Sequence, residues 1–153
     1  MIYSISNKKL YVEIETEGAQ LKSIKSQNSK IEYLWQGDPD VWRGRAYNLF
    51  PFVGRRTDGK YTVHGKEYEM PMHGFARNME FVVSYYTQTM IKFTICATDE
   101  TYKWYPFKFI FEVTYSLEGN CLSYYYNVMN IDEKKMYFGL GGHPGINVPF
   151  NGG

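Results

Sequence analysis

The chain has 153 residues, with 17 Lys and Arg against 16 Asp and Glu. The resulting net charge of +1 excludes both the clustered basic excess of a general nucleic-acid binder and a like-charge tail. Length provides for one domain with a sizeable core, and a hydrophobic fraction of 44% is ordinary globular usage, which excludes disorder and collagen-like repeats.

The N-terminus, Met1 to Lys9, alternates polar and apolar residues and lacks a signal-peptide hydrophobic region. Leu10, Val12 and Ile14 face one way and Tyr11, Glu13 and Glu15 the other, the period of a half-buried strand. Gly18 breaks the run, and Leu21, Ile24 and then Ile31 to Trp35 restart short strands. Residues 36–59 hold Gly37, Pro39, Gly44, Pro51, Gly54 and Gly59 among Trp42, Phe50 and Phe52, which predicts a long, ordered, packed loop. Phe81 to Tyr86 and Met90 to Ala97 form a hairpin around Thr87-Gln88-Thr89. Asp99 to Trp104 makes a single helical turn ended by Pro106.

From Phe107 to Leu117 the alternation is clearest, with Phe107, Phe109, Phe111, Val113, Tyr115 and Leu117 on one face. Glu118-Gly119-Asn120 turns the chain into a partner strand carrying Leu122, Tyr124, Tyr126 and Val128. A turn at Asp132 to Lys135 leads to a strand over Met136 to Leu140, followed by a glycine-rich loop from Gly139 to Gly145. The fold class is all-β, an antiparallel β-sandwich of about ten strands.

Aromatic residues make up 18% of the chain, 15 Tyr, 10 Phe and 3 Trp. Such a load suits pleated strands and also surfaces that hold sugar rings or bases. No stretch approaches the roughly 20 apolar residues of a membrane helix. Cys96 and Cys121 stand outside any CxxC or Cys/His cluster and read as small buried thiols of a reduced, cytoplasmic protein. Nucleic acid and membrane are therefore not expected partners.

Three histidines could carry proton chemistry. His64, in Val63-His64-Gly65-Lys66, reads as a solvated turn residue. His73, between the Met70-Pro71-Met72 turn and Gly74, sits on rigid non-helical backbone from which an imidazole can enter a cavity. His143 follows two glycines that permit close approach of backbone or ligand. By residue pattern alone, both divide evenly between catalysis and loop structure. Their spacing lacks HxH or HExxH form, so a metal is not expected. Arg55 and Arg56, beside Gly54, are either a solvated basic turn or an anchor for ligand oxygens.

Gly18-Ala19-Gln20-Leu21, Tyr33-Leu34-Trp35, and Asn48 to Arg55 (NLFPFVGR) resemble the aldose 1-epimerase (galactose mutarotase) family. The resemblance continues through Asp58 to Tyr61, Gly65 to Tyr68, Met70 to Arg77 (MPMHGFAR), Tyr105-Pro106-Phe107 and Tyr115 to Asn120. It ends on Gly141-Gly142-His143-Pro144 with Asn147, Pro149 and Phe150, and is nearest to the bacterial LacX-type branch. It implies a galactose mutarotase-like supersandwich whose cleft binds a small aldose, and a cofactor-free reaction interconverting α and β anomers by acid/base ring opening.

Under the resemblance His143 matches the general acid at the ring oxygen, and His73 the histidine that hydrogen-bonds the substrate near C1. Arg55 is the nearest match to a sugar-binding arginine, with Arg56 adjacent. Trp42, Phe75 and Trp104 are candidate cleft walls or core. The family's base, a glutamate, and a sugar-binding aspartate lie beyond the GGHP motif, past residue 153; Glu69 or Glu80 cannot be promoted to base by spacing. Residues 1–153 are thus expected to be the N-terminal part of a single truncated sandwich domain. The chain alone is expected to be a poor epimerase, needing the missing C-terminal portion or homo-oligomerisation to cover its open half. The alternative is a non-catalytic carbohydrate-binding sandwich.

Overall fold

The computed structural model describes residues 1–148, so Pro149, Phe150 and the final three residues lie outside the described part. The strands are β1 (Ile2–Ser6), β2 (Leu10–Glu15), β3 (Leu21–Ser26), β4 (Ala46–Leu49), β5 (Lys60–Val63) and β6 (Lys66–Glu69). They continue with β7 (Val82–Tyr86), β8 (Met90–Cys96), β9 (Phe109–Glu118), β10 (Cys121–Asn130) and β11 (Gly141–Pro144), and α1 (Asp99–Trp104) lies between β8 and β9. β1-β2-β3 form one antiparallel sheet and β10-β9-β8-β7 a second, while β4 pairs with β11 and β5 with β6. The fold is mostly β and antiparallel, as the period-two pattern requires.

β9 shows how the sequence makes the core. Phe109, Phe111, Val113, Tyr115 and Leu117 are buried, whereas the residues between them are half-buried. Their face meets Leu10, Val12, Ile14 and Ile5 of the first sheet in one continuous apolar cluster. Phe50 stands at its centre, its ring stacked on Phe111 at 4.7 Å and tilted against Phe109 at 5.0 Å. α1 is as short as expected, its start fixed by a capping box in which Thr98 and Thr101 each accept the other's amide. No described helix is long and apolar enough to cross a membrane.

Four expectations are corrected. Ile31 to Trp35 is not a strand but offers single bridges at Glu32 and Leu34. The Glu32 carboxylate accepts from the Ile24 and Leu34 amides and the Ser23 hydroxyl, taking the place of ladder partners. The 36–59 segment contains β4, and the strand expected at Met136 to Leu140 comes later, at the glycine-rich Gly141–Pro144. There Gly142 lies so close to the Tyr124 and Tyr126 hydroxyls that a Cβ would be 3.1 and 3.0 Å from them. Both cysteines are exposed rather than buried, because Cys96 faces outward at the end of β8 and Cys121 opens the edge strand β10.

β10 pairs along its whole length with β9, yet Tyr124, Tyr125 and Met129 remain exposed. Below its start, a groove of about 610 Å³ opens between Leu10, Leu21, Ile24 and Tyr33 on one side and Leu122 and Tyr124 on the other. The groove reaches Pro144 and Ile146 at the end of β11.

Candidate active site

His73 is held by two reciprocal bonds to one residue. Its amide donates to the Gly54 carbonyl at 2.9 Å, and its Nδ1 accepts from the Gly54 amide at 3.0 Å. That second bond assigns the proton of the neutral ring to Nε2, leaving an outward donor. The backbone reaches this position through a left-handed turn, with φ of 69° at His73 and 75° at Gly74. Gly74 is obligatory, since a Cβ there would lie 2.1 Å from the Phe50 carbonyl oxygen. Burial first, then the Arg77 cation and His143, hold His73 below its ordinary 6.5 and favour the neutral ring.

His143 arrives from β11, opposite Tyr47 of β4. Its ring lies 5.9 Å from that of His73, edge to face, and 5.1 Å from the Trp42 indole. The two motifs, remote in sequence, therefore present their imidazoles to one place. Among the described residues neither ring contacts a carboxylate by hydrogen bond or ion pair. No described group of three His, Cys, Asp or Glu could hold a metal.

The strand under His143 is seated by a buried polar network. Asn48 donates to the carbonyls of Gly18 and Ala19, both at 2.9 Å, and accepts from the Tyr126 hydroxyl at 2.7 Å. Tyr115 donates to the same Ala19 carbonyl at 2.7 Å. Burial pushes both tyrosine hydroxyls far above their ordinary range, so they remain donors. The network ties β4, and through it β11, to both sheets.

The remaining expected residues scatter. Arg55 is exposed next to Gly54, the partner of His73. Arg56 places its guanidinium 4.3 Å over the Phe52 ring, where Tyr61, Phe107 and Tyr137 line a separate hollow of about 620 Å³. Phe75 is 3% exposed and packs on Phe50, Tyr105 and Phe109, so the structure places it in the core beneath the histidine turn, at the floor of a small hollow shared with Pro71 and Trp104. Trp104 is exposed beside it, 6.1 Å away, and Trp42 is half-buried against His143.

Arg77 was not singled out by sequence reasoning. It closes the HGFAR motif, stands 5.3 Å over the Tyr47 ring, and buries its Nε without a hydrogen-bond partner among the described residues. The signal was present in the motif itself, but nothing in spacing shows that a turn so short points its last cation back toward its first histidine.

The described strands form antiparallel sheets, and His73 on its loop faces His143 on β11. The sequence profile of the family described as aldose 1-epimerase matches residues 1–152. This chain belongs to that family. It is 34% identical, over 97% of its length, to the plasmid-encoded protein LacX of Lactococcus lactis, of which it covers 52%. Among solved structures, a galactose mutarotase related enzyme from Lactobacillus acidophilus superposes with a TM-score of 0.97 at 43% identity, over 100% of this chain and 51% of that one. A galactose mutarotase-like protein from Lactobacillus casei gives 0.94 at 38% identity, over 97% and 50%. The chain thus spans about half the length of the proteins it matches.

Proposed function

We propose that this chain is the histidine-bearing portion of an aldose 1-epimerase that interconverts the α and β anomers of a free hexose. The observation that carries the reading is the 5.9 Å approach of the His73 and His143 rings. His143, on an exposed strand end, donates a proton to the ring oxygen as the C1–O5 bond breaks. A carboxylate base, in the part of the fold this chain does not span, takes the proton of the C1 hydroxyl. The open aldehyde rotates about C1–C2 and closes on its other face, returning both protons. His73, with Nδ1 occupied by Gly54, offers Nε2–H to a substrate oxygen. Arg55 is assigned to substrate hydroxyls, from its place next to Gly54. Phe75 supports the turn from below.

The test follows the anomeric signals of freshly dissolved α-glucose and α-galactose by NMR, with a polypeptide carrying these residues and with its His143→Asn variant. Exchange faster than buffer that is lost in the variant supports the reading. Buffer-rate exchange in a polypeptide that also spans the rest of the relatives' length sinks it; sugar binding without acceleration leaves a carbohydrate-binding sandwich.

A further inference from the structure

The two histidines are held by different means. His73 is fixed by hydrogen bonds from backbone and ring. His143 is exposed, and among the described residues its ring makes no hydrogen bond. A general acid with free rotation about its side-chain bonds spends most of its time misdirected, and misplacement by about 1 Å can cost about 100-fold in rate. Something must restrain this ring.

Trp42 is built into that position. The turn that presents it is closed by the Trp42 amide donating to the Asp38 carbonyl at 2.8 Å, with the Asp38 carboxylate accepting from the Asp40 amide at 2.9 Å. The Trp42 carbonyl accepts from the Trp35 indole N–H at 2.8 Å. Its own indole lies between two glycines. A Cβ on Gly44 would be 2.5 Å from it, and one on Gly145 2.9 Å. Tyr47, the cross-strand partner of His143, meets the same indole edge to face at 5.9 Å. The Tyr47 ring and two absent side chains thus hold the indole, and the indole faces the imidazole at 5.1 Å. Tilted ring pairs at such distances are attractive.

We propose that Trp42 is the positioning residue of His143, its indole setting the direction in which the imidazole points. The kinetic consequence rests on the epimerase reading above; the structural consequence does not. Trp42 acts through His143, so no contact with the sugar is required of it.

The test has two arms. By NMR, the His143 Cε1–H of the unaltered chain is expected upfield of a free histidine, with a nuclear Overhauser contact to indole protons. In Trp42→Leu both are lost while the His73 signals stay, and Trp42→Phe keeps part of the displacement. A His143 signal at the free position in the unaltered chain overturns the proposal, whether or not any sugar is turned over. So does a Trp42→Leu change that moves His73 and His143 alike, the mark of a merely structural role. In the epimerase assay, Trp42→Leu is expected to lower kcat about 100-fold with KM little changed, and Trp42→Phe to restore most of it. Unchanged kcat in an active protein overturns the kinetic consequence. Where Trp42→Leu does not fold, the unaltered chain and Trp42→Phe decide.

Discussion

Gly54 and His73 bond each other twice, amide to carbonyl at 2.9 Å and amide to Nδ1 at 3.0 Å. The second bond exists only while Nδ1 is unprotonated, which joins the loop carrying Arg55 to the charge state of the ring. Burial, Arg77 and His143 all oppose protonation there. Between its ordinary 6.5 and its lowered native value, His73 binds fewer protons folded than unfolded. Stability therefore falls as pH drops through that window, and this group contributes no slope above it. Thermal melts across the window should show this decline, and it should shrink in His73→Asn.

Removing the Arg77 cation takes away one of the causes that depress His73. In Arg77→Met the His73 midpoint, followed through its ring protons, should rise partway toward 6.5, because burial of the ring remains. An unmoved midpoint would separate Arg77 from His73 electrostatically.

The histidines should respond differently to loss. His143 is exposed, and among the described residues its ring makes no hydrogen bond, so His143→Asn should alter stability by no more than about 0.5 kcal/mol. Under the epimerase proposal, anomer exchange should fall about 100-fold or more, the usual weight of an acid/base residue. Denaturant melts and anomeric NMR read the two quantities separately.

Two glycines of similar backbone make a controlled comparison. Gly65 and Gly74 both have φ of 75°, but nothing lies within 4 Å of a Cβ on Gly65, whereas one on Gly74 would meet Phe50 at 2.1 Å. Gly65→Ala should cost about 1 kcal/mol from backbone strain alone. Gly74→Ala should cost at least about 3 kcal/mol, with displacement of the histidine turn. Urea unfolding of the two variants measures the difference.

Asn48→Leu removes the acceptor of the Tyr126 hydroxyl and the side-chain donor to the Gly18 carbonyl, while the Ala19 carbonyl keeps the Tyr115 hydroxyl. Unsatisfied buried groups of this kind should lower stability by about 2–3 kcal/mol, measured by urea unfolding. A loss below about 0.5 kcal/mol would mean that water replaces the side chain.

What the sequence revealed was set by how local the cause was. The β9–β10 hairpin is legible because alternation from Phe107 onward and Gly119 in the turn are neighbours in the chain. The strand at Gly141–Pro144 was hidden because glycine has low strand preference, and only Tyr124 and Tyr126, distant in sequence, explain why no side chain fits. Glu32 similarly turned a strand-like pattern into a loop by binding backbone amides. The histidine motifs were readable as motifs. Their 5.9 Å approach, the seat of Arg56 on Phe52, and the inward Arg77 depended on long-range packing that no local pattern carries.

The β4–β11 ribbon has a consequence for how the molecule comes into being. The strand carrying His143 finds its only ladder partner among the described residues in a segment synthesised far earlier. Asn48 of that partner strand is in turn bonded to Gly18 and Tyr115. Loop-closure entropy opposes so distant a pairing until the rest of the core rewards it. A nascent chain that has not yet reached residue 141 therefore lacks the imidazole that faces His73.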